Sequence, residues 1–216
     1  MFTRTLKFSP ANTRIRTSLA LGYAQDQRYK EAEYHFRRVL DFEPWNVRAR
    51  IGLGKALCDL DRCWDGLLEY EKIPEAGAGG LNELLKDNIR RTRDILIDEY
   101  RHKLVREPGS AESYFRLGTV YFKSGNFIDA VGAYLNALLL DAGSKDTLFQ
   151  LGAAYEKIGN FDVAVTYYER ILTIKDGRAD MDDLARRRLG AISEMRSDPK
   201  TAEQNLRLKE IFRSAP

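Results

Sequence analysis

Chemistry in this chain would have to come from few side chains. Its 216 residues include two histidines, His35 and His102, and two cysteines, Cys58 and Cys63. A general base at neutral pH is most often a histidine, so candidates are scarce. His35 stands beside Phe36 in a helical stretch and reads as a packing or surface residue. The cysteines lie close together in CDLDRC, but two thiols cannot fill a four-ligand zinc site, and neither histidine is near them in sequence. Geometry often forbids a disulfide over so short a loop, and both thiols are expected reduced, as partly buried helix residues. There is no G-x-x-x-x-G-K-[ST] phosphate loop, no G-x-S-x-G elbow and no H-E-x-x-H metal helix. The acidic pair Asp182-Asp183 reads as charge at a helix N-terminus rather than an acid/base couple. The expectation is a protein that is not an enzyme, with no catalytic residue, no metal and no cofactor.

Charge narrows the partner classes. Thirty-five basic and 32 acidic side chains leave a formal net charge of +3, spread along the chain. A nucleic-acid binder would cluster its basic residues, and the spots Arg37-Arg38, Arg90-Arg91 and Arg186-Arg187-Arg188 read as solvated helix faces. No stretch approaches the roughly 18 consecutive apolar residues of a membrane span. MFTRTLKFSPANTR has no apolar run and does not read as a signal peptide, so a cytoplasmic location is expected, for a chain that can be a fragment of a longer protein.

What the sequence does hold is repetition. LGTVYFKSGNF at Leu117–Phe127 returns as LGAAYEKIGNF at Leu151–Phe161, shifted by 34 residues. Leu53-Gly54 and Leu19-Ala20 echo the first two letters, and Tyr23, Tyr121 and Tyr155 follow in three copies, with Leu57 in the fourth. A small residue comes next, as Ala32, Gly66, Ala130 and Ala164, and four residues later an aromatic: Phe36, Tyr70, Tyr134 and Tyr168. Pro10 and Pro44 sit in the similar phrases KFSPAN and DFEPWN. These slots, recurring in phase, resemble the tetratricopeptide repeat family, whose 34-residue unit runs W-x2-L-G-x2-Y, A-x3-F, P.

The resemblance implies an all-α, right-handed superhelical solenoid of antiparallel helix hairpins. Each slot has a physical reason: Gly118 lets a neighbouring helix approach, Tyr134 fills the volume, and Gly125-Asn126 turns the chain between two helices. Residues 1–12 read as the end of a preceding partial repeat, with Phe2 in the aromatic slot. Repeats are expected over about 13–46, 47–76, a degenerate 77–110, 111–144 and 145–178. Residues 81–107 keep an apolar rhythm without the Gly and Ala slots, and a single long helix is the alternative to a hairpin there. Gly77-Ala78-Gly79-Gly80 reads as a bend, residues 179–196 as a capping helix, and 197–216 as a helical tail behind Asp198-Pro199.

In the family, one stripe of each first helix lines a concave groove for extended peptides or helices, and the resemblance implies that role for Phe115, Thr119 and Phe122, and for Phe149, Ala153 and Glu156. The same offsets give Thr17, Leu21 and Ala24, and Ile51, Lys55 and Cys58. One turn earlier lie Arg14, Arg48, Glu112 and Asp146, so the groove is expected to run from basic (Arg14, Arg48, Lys55) to acidic (Glu156). Large aromatics serve both helix packing and partner anchoring, so Phe115, Phe122 and Phe149 fit either use. Family members that grip a terminal carboxylate place Lys and Asn where Thr17 and Leu21 stand, which argues against that partner class. The function expected is a scaffold or adaptor binding a peptide or helical segment of a protein partner, and not nucleic acid. Self-association through the array ends or the tail is the alternative.

Overall fold

Each first helix of a hairpin starts on a side-chain cap. Asn12, Asn46, Ser110 and Ser144 accept from the backbone N–H of Ile15, Ala49, Ser113 and Thr147 at 2.9–3.2 Å. Such caps satisfy an otherwise orphaned donor and contribute about 1 kcal/mol each. The computed structural model describes residues 12–74 and 79–197. The readings of residues 1–11, of most of the Gly77–Gly80 bend and of the tail from residue 198 onward fall outside it.

The described residues form ten α-helices and no strand. In order these are α1 (Thr13–Gln25), α2 (Tyr29–Phe42), α3 (Val47–Cys58), α4 (Cys63–Glu71), α5 (Asn82–Arg106), α6 (Ala111–Lys123), α7 (Phe127–Leu140), α8 (Lys145–Ile158), α9 (Phe161–Thr173) and α10 (Ala179–Ser197), with a 3-10 turn at Gly79–Leu81 before α5. Two compact units divide after Glu99, inside α5. In the first, α1 packs on α2, α2 on α3 and α3 on α4; in the second, α6 to α10 pack in succession. First helices also touch: α1 with α3, α6 with α8, and α8 with α10. This is a helical repeat fold.

Buried aromatic rings hold the hairpins. Phe36, Tyr70, Tyr134 and Tyr168 are at most 1% exposed. A Cβ added at Gly118 would lie 2.7 Å from the Tyr134 ring, and one at Gly152 would lie 2.8 Å from the Tyr168 ring; Gly54 is as crowded against Tyr70. Burial raises the pKa of all three tyrosines, that of Tyr134 to about 12 although its hydroxyl donates to Thr119 Oγ1 at 3.3 Å.

Turns within hairpins need a left-handed residue. Gly125 and Gly159 supply it at φ +81° and +83°, whereas Gln27 and Asp61 adopt φ +59° in the first two hairpins.

Two expectations are corrected. Residues 82–106 are one helix rather than a degenerate hairpin. No Gly or Pro interrupts them, and Leu85, Thr92, Leu96, Tyr100 and Leu104 form its buried positions. Cys58 and Cys63 are joined as a disulfide, not reduced, with Cα atoms 3.8 Å apart. The pairing arises because Cys58 ends α3 and Cys63 begins α4, and the turn at Asp61 folds those helix ends together.

The closing helix α10 is tied down by ions. Lys145, with a side chain 1% exposed at the start of α8, donates to Asp176 Oδ1 at 2.6 Å and Asp182 Oδ1 at 2.8 Å. Arg188 pairs with both carboxylate oxygens of Glu156, and Arg196 with Asp162 at 2.7 Å. Arg178, just before α10, pairs with Asp146.

This packing fixes the sign of three perturbations. A Cβ at Gly66 would sit 2.5 Å from the Gly54 carbonyl oxygen, which cannot rotate away. Gly66→Ala is therefore expected to destabilise by about 1–3 kcal/mol, against the roughly 1 kcal/mol gain of a helical Gly→Ala change. Gln27→Gly is expected to stabilise by about 0.5–1 kcal/mol, because a left-handed non-glycine residue is strained. Urea midpoints check both signs. The hydrogen bond from Lys145 holds the Asp176 carboxyl below its ordinary value. Such a group stabilises above its unfolded pKa of about 3.9 and ceases to as pH falls through its folded value. Asp176→Asn should thus flatten the acid limb of the stability–pH curve below about pH 4, and an unchanged limb would exclude that role.

Candidate functional site

The exposed face of each first helix is built by periodicity. Residues one and two turns apart share a side, so Arg48, Ile51 and Lys55 lie together on α3, as Phe115, Thr119 and Phe122 do on α6. The two units present different faces.

In the first unit the basic residues stand clear. Arg14, Arg48 and Lys55 are exposed and make no ion pair among the described residues. Between them the apolar floor is closed: Ile51 is 5% exposed, and Thr17 is buried with its hydroxyl donating to the Thr13 carbonyl at 2.7 Å. Leu21 packs onto the cluster of Ala20, Phe36 and Leu53. The face is a basic rim over an aliphatic floor.

In the second unit the aromatics are half-buried and backed by their own hairpins. Phe115 tilts against the Tyr134 ring with centroids 5.8 Å apart, and Phe149 against Tyr168 at 5.5 Å. Phe122 meets Phe127 edge-on at 5.4 Å. These contacts serve packing, yet each ring keeps a solvent-facing part. Thr119 donates to the Phe115 carbonyl at 2.9 Å.

The acidic end expected of the groove is neutralised. Glu156, with an 8% exposed side chain, is held by Arg188; Asp146 is held by Arg178, and Glu112 by Arg116. Its role is to dock α10 rather than meet a partner. Sequence reasoning placed Arg188 on a polar outer face and missed this pairing, for which the separation of 32 residues, close to one repeat, was the available signal.

No arrangement for catalysis emerges around His35. Its ring stacks on Tyr23 at 5.4 Å and faces the Arg16 guanidinium at 3.3 Å, and burial followed by Arg16 lowers its pKa. That keeps it neutral and able to accept from Arg16. Among the described residues, no group of three or more His, Cys, Asp or Glu side chains could hold a metal. None of their helices is long and apolar enough to cross a membrane.

Comparison with known proteins agrees with the fold. No curated protein matches the chain. Among solved structures it is similar to MamA (21% identity over 78% of this chain and 94% of that one, TM-score 0.39). It is also similar to YrrB, described as a TPR protein with an unusual peptide-binding site (15%, 86% and 98%, TM-score 0.42). A third is TTC0263, a thermophilic TPR protein of Thermus thermophilus (17%, 82% and 98%, TM-score 0.46). At these identities nothing about partners carries over. A family model for the tetratricopeptide repeat matches residues 115–182, the stretch that holds both LGTVYFKSGNF and LGAAYEKIGNF. The chain thus carries tetratricopeptide repeats, as the recurrence of its Leu-Gly, Tyr, Ala and aromatic slots indicated.

Proposed function

We propose that this protein is a non-catalytic interaction scaffold whose first-helix faces take up an extended peptide or short helix of a partner protein. The observation that carries the reading is the asymmetry of free charge: Arg14, Arg48 and Lys55 stay exposed while Glu112, Asp146 and Glu156 are each paired. A partner's carboxylates then have cations to meet on the first unit and no free carboxylate of that face to repel them. On the second unit, the exposed parts of Phe115, Phe122 and Phe149 offer apolar anchorage next to Thr119. Aromatic and arginine side chains are the residue types that dominate interface energetics. A cytoplasmic setting belongs to the same proposal, and there the Cys58–Cys63 bond would be open to reduction.

A second reading, self-assembly, draws on exposed aliphatics of the second unit. Ile128 and Leu139 are 78% and 82% exposed, and Ile128, Ile158 and Phe127 line an open cavity of about 420 Å³. Light scattering across a concentration series distinguishes the two readings, since a scaffold for foreign peptides stays monomeric.

Twelve-residue peptides selected by display on the full chain supply the test. Arg48→Glu and Phe122→Ala are each expected to weaken a selected peptide about tenfold, near 1.4 kcal/mol. Neither changing affinity would exclude these faces. Affinity for RNA that falls steeply with salt would point to nucleic acid instead.

A further inference from the structure

Four loops lead into first helices at one position of the repeat: Glu43-Pro44-Trp45-Asn46, Glu107-Pro108-Gly109-Ser110, Asp141-Ala142-Gly143-Ser144 and Lys175-Asp176-Gly177-Arg178. The third place is glycine in three of them and tryptophan in the first. It faces open space wherever it is glycine. A Cβ at Gly109 or Gly177 would meet nothing within 4 Å, and one at Gly143 only Asp141 Oδ1 at 3.7 Å. The stack therefore asks nothing of this place, and Trp45 lies 78% exposed with Phe42, itself 49% exposed, three residues before it. Single exposed hydrophobics are ordinary. An indole where packing accepts glycine, next to a second exposed ring, is not accounted for by the fold.

The loop that carries Trp45 is held on both sides. Glu43 accepts from Thr13 Oγ1 at 2.5 Å and from Asn46 Nδ2 at 2.6 Å, which ties the starts of α1 and α3 together and holds its carboxyl below the ordinary range. Arg50 donates to the Pro44 carbonyl and pairs with Glu69 at 2.8 Å. An aromatic displayed on a fixed backbone loses little further freedom when it is covered, which favours its use as an anchor.

Charge selects what covers it. Glu43 is occupied by its two donors, and Asp41 is paired with Arg38, so the uncompensated charges nearest in sequence are those of Arg14 and Arg48, at matching places on α1 and α3. Met1–Ala11 carries Arg4 and Lys7 and no acidic residue, so its charge does not fit this surface.

We propose that Trp45 is the anchor of a binding surface for an acidic peptide of a partner protein. The indole covers an aromatic or branched aliphatic side chain, while Arg14 and Arg48 meet carboxylates within a few residues of it. The inference rests on the scaffold reading above and extends that face onto the loop before α3.

The experiment uses the full chain and random twelve-residue peptides selected by display. Enriched sequences are expected to place Asp or Glu within four positions of Leu, Ile, Phe or Trp. Synthetic copies should bind Trp45→Ala at least tenfold more weakly, with affinity partly restored by Trp45→Phe and circular dichroism unchanged. Because Trp45 and Trp64 are the only tryptophans, Trp64→Phe isolates the Trp45 emission, which should shift to shorter wavelength when peptide is added. If Arg48→Glu weakens binding and Trp45→Ala does not, the anchor is overturned and the scaffold reading stands. No enriched peptide overturns both. An emission shift produced by raising protein concentration alone assigns the surface to a second copy of the chain and also overturns the proposal.

Discussion

Each hairpin depends on one contact, the aromatic ring of its second helix pressed against a small residue of its first. The pairs are Gly54 with Tyr70, Gly118 with Tyr134 and Gly152 with Tyr168, with Phe36 crowding Gly52 of the following first helix. A large ring wedged beside a missing Cβ converts a loss of helix propensity into close backbone approach, and buried surface of this kind supplies most of the free energy of folding. Gly66 brings α4 still nearer to α3, until the Gly54 carbonyl occupies the space a methyl would need.

The same rings set the second unit's surface. Tyr134 and Tyr168 support Phe115 and Phe149 from behind, so the rings offered to solvent have restricted freedom before any partner arrives. In the first unit the corresponding places are the buried Thr17 and Ile51, and the accessible chemistry passes to the cationic rim and the Trp45 loop. One repeat geometry thus presents two kinds of surface: basic with a single indole, and aromatic with its charges neutralised.

Ion pairs divide by purpose along the chain. Those within single helices, such as Arg28–Glu31 and Arg90–Asp87, are exposed and contribute little. Those spanning about one repeat, from Lys145, Asp146, Glu156 and Asp162 to the α10 region, fasten the last helix where no further hairpin is described. Lys145 is the extreme case, a lysine buried at a helix start, where the helix dipole is unfavourable to it and two carboxylates offset that cost.

The sequence by itself determined the hairpins, because their signals are local and repeat: caps at Asn46 and Ser144, turns at Gly125 and Gly159, and aromatic slots in phase. It also located the faces, since helical spacing puts Arg48 and Lys55, or Phe115 and Phe122, on one side. It left α5 open between one helix and two, as absence of a breaker is a weaker signal than its presence. Only tertiary structure decided which charges remain free. Glu156 and Arg188 are 32 residues apart, and nothing in either neighbourhood announces the other. The Cys58–Cys63 pairing likewise depends on how a turn brings two helix ends together. Trp45 stood in plain view in the sequence, but its meaning required the open space around Gly109 and Gly177, which shows that packing makes no use of a side chain there. Local geometry is written in spacing, whereas desolvation and charge compensation belong to contacts between segments, which spacing does not encode.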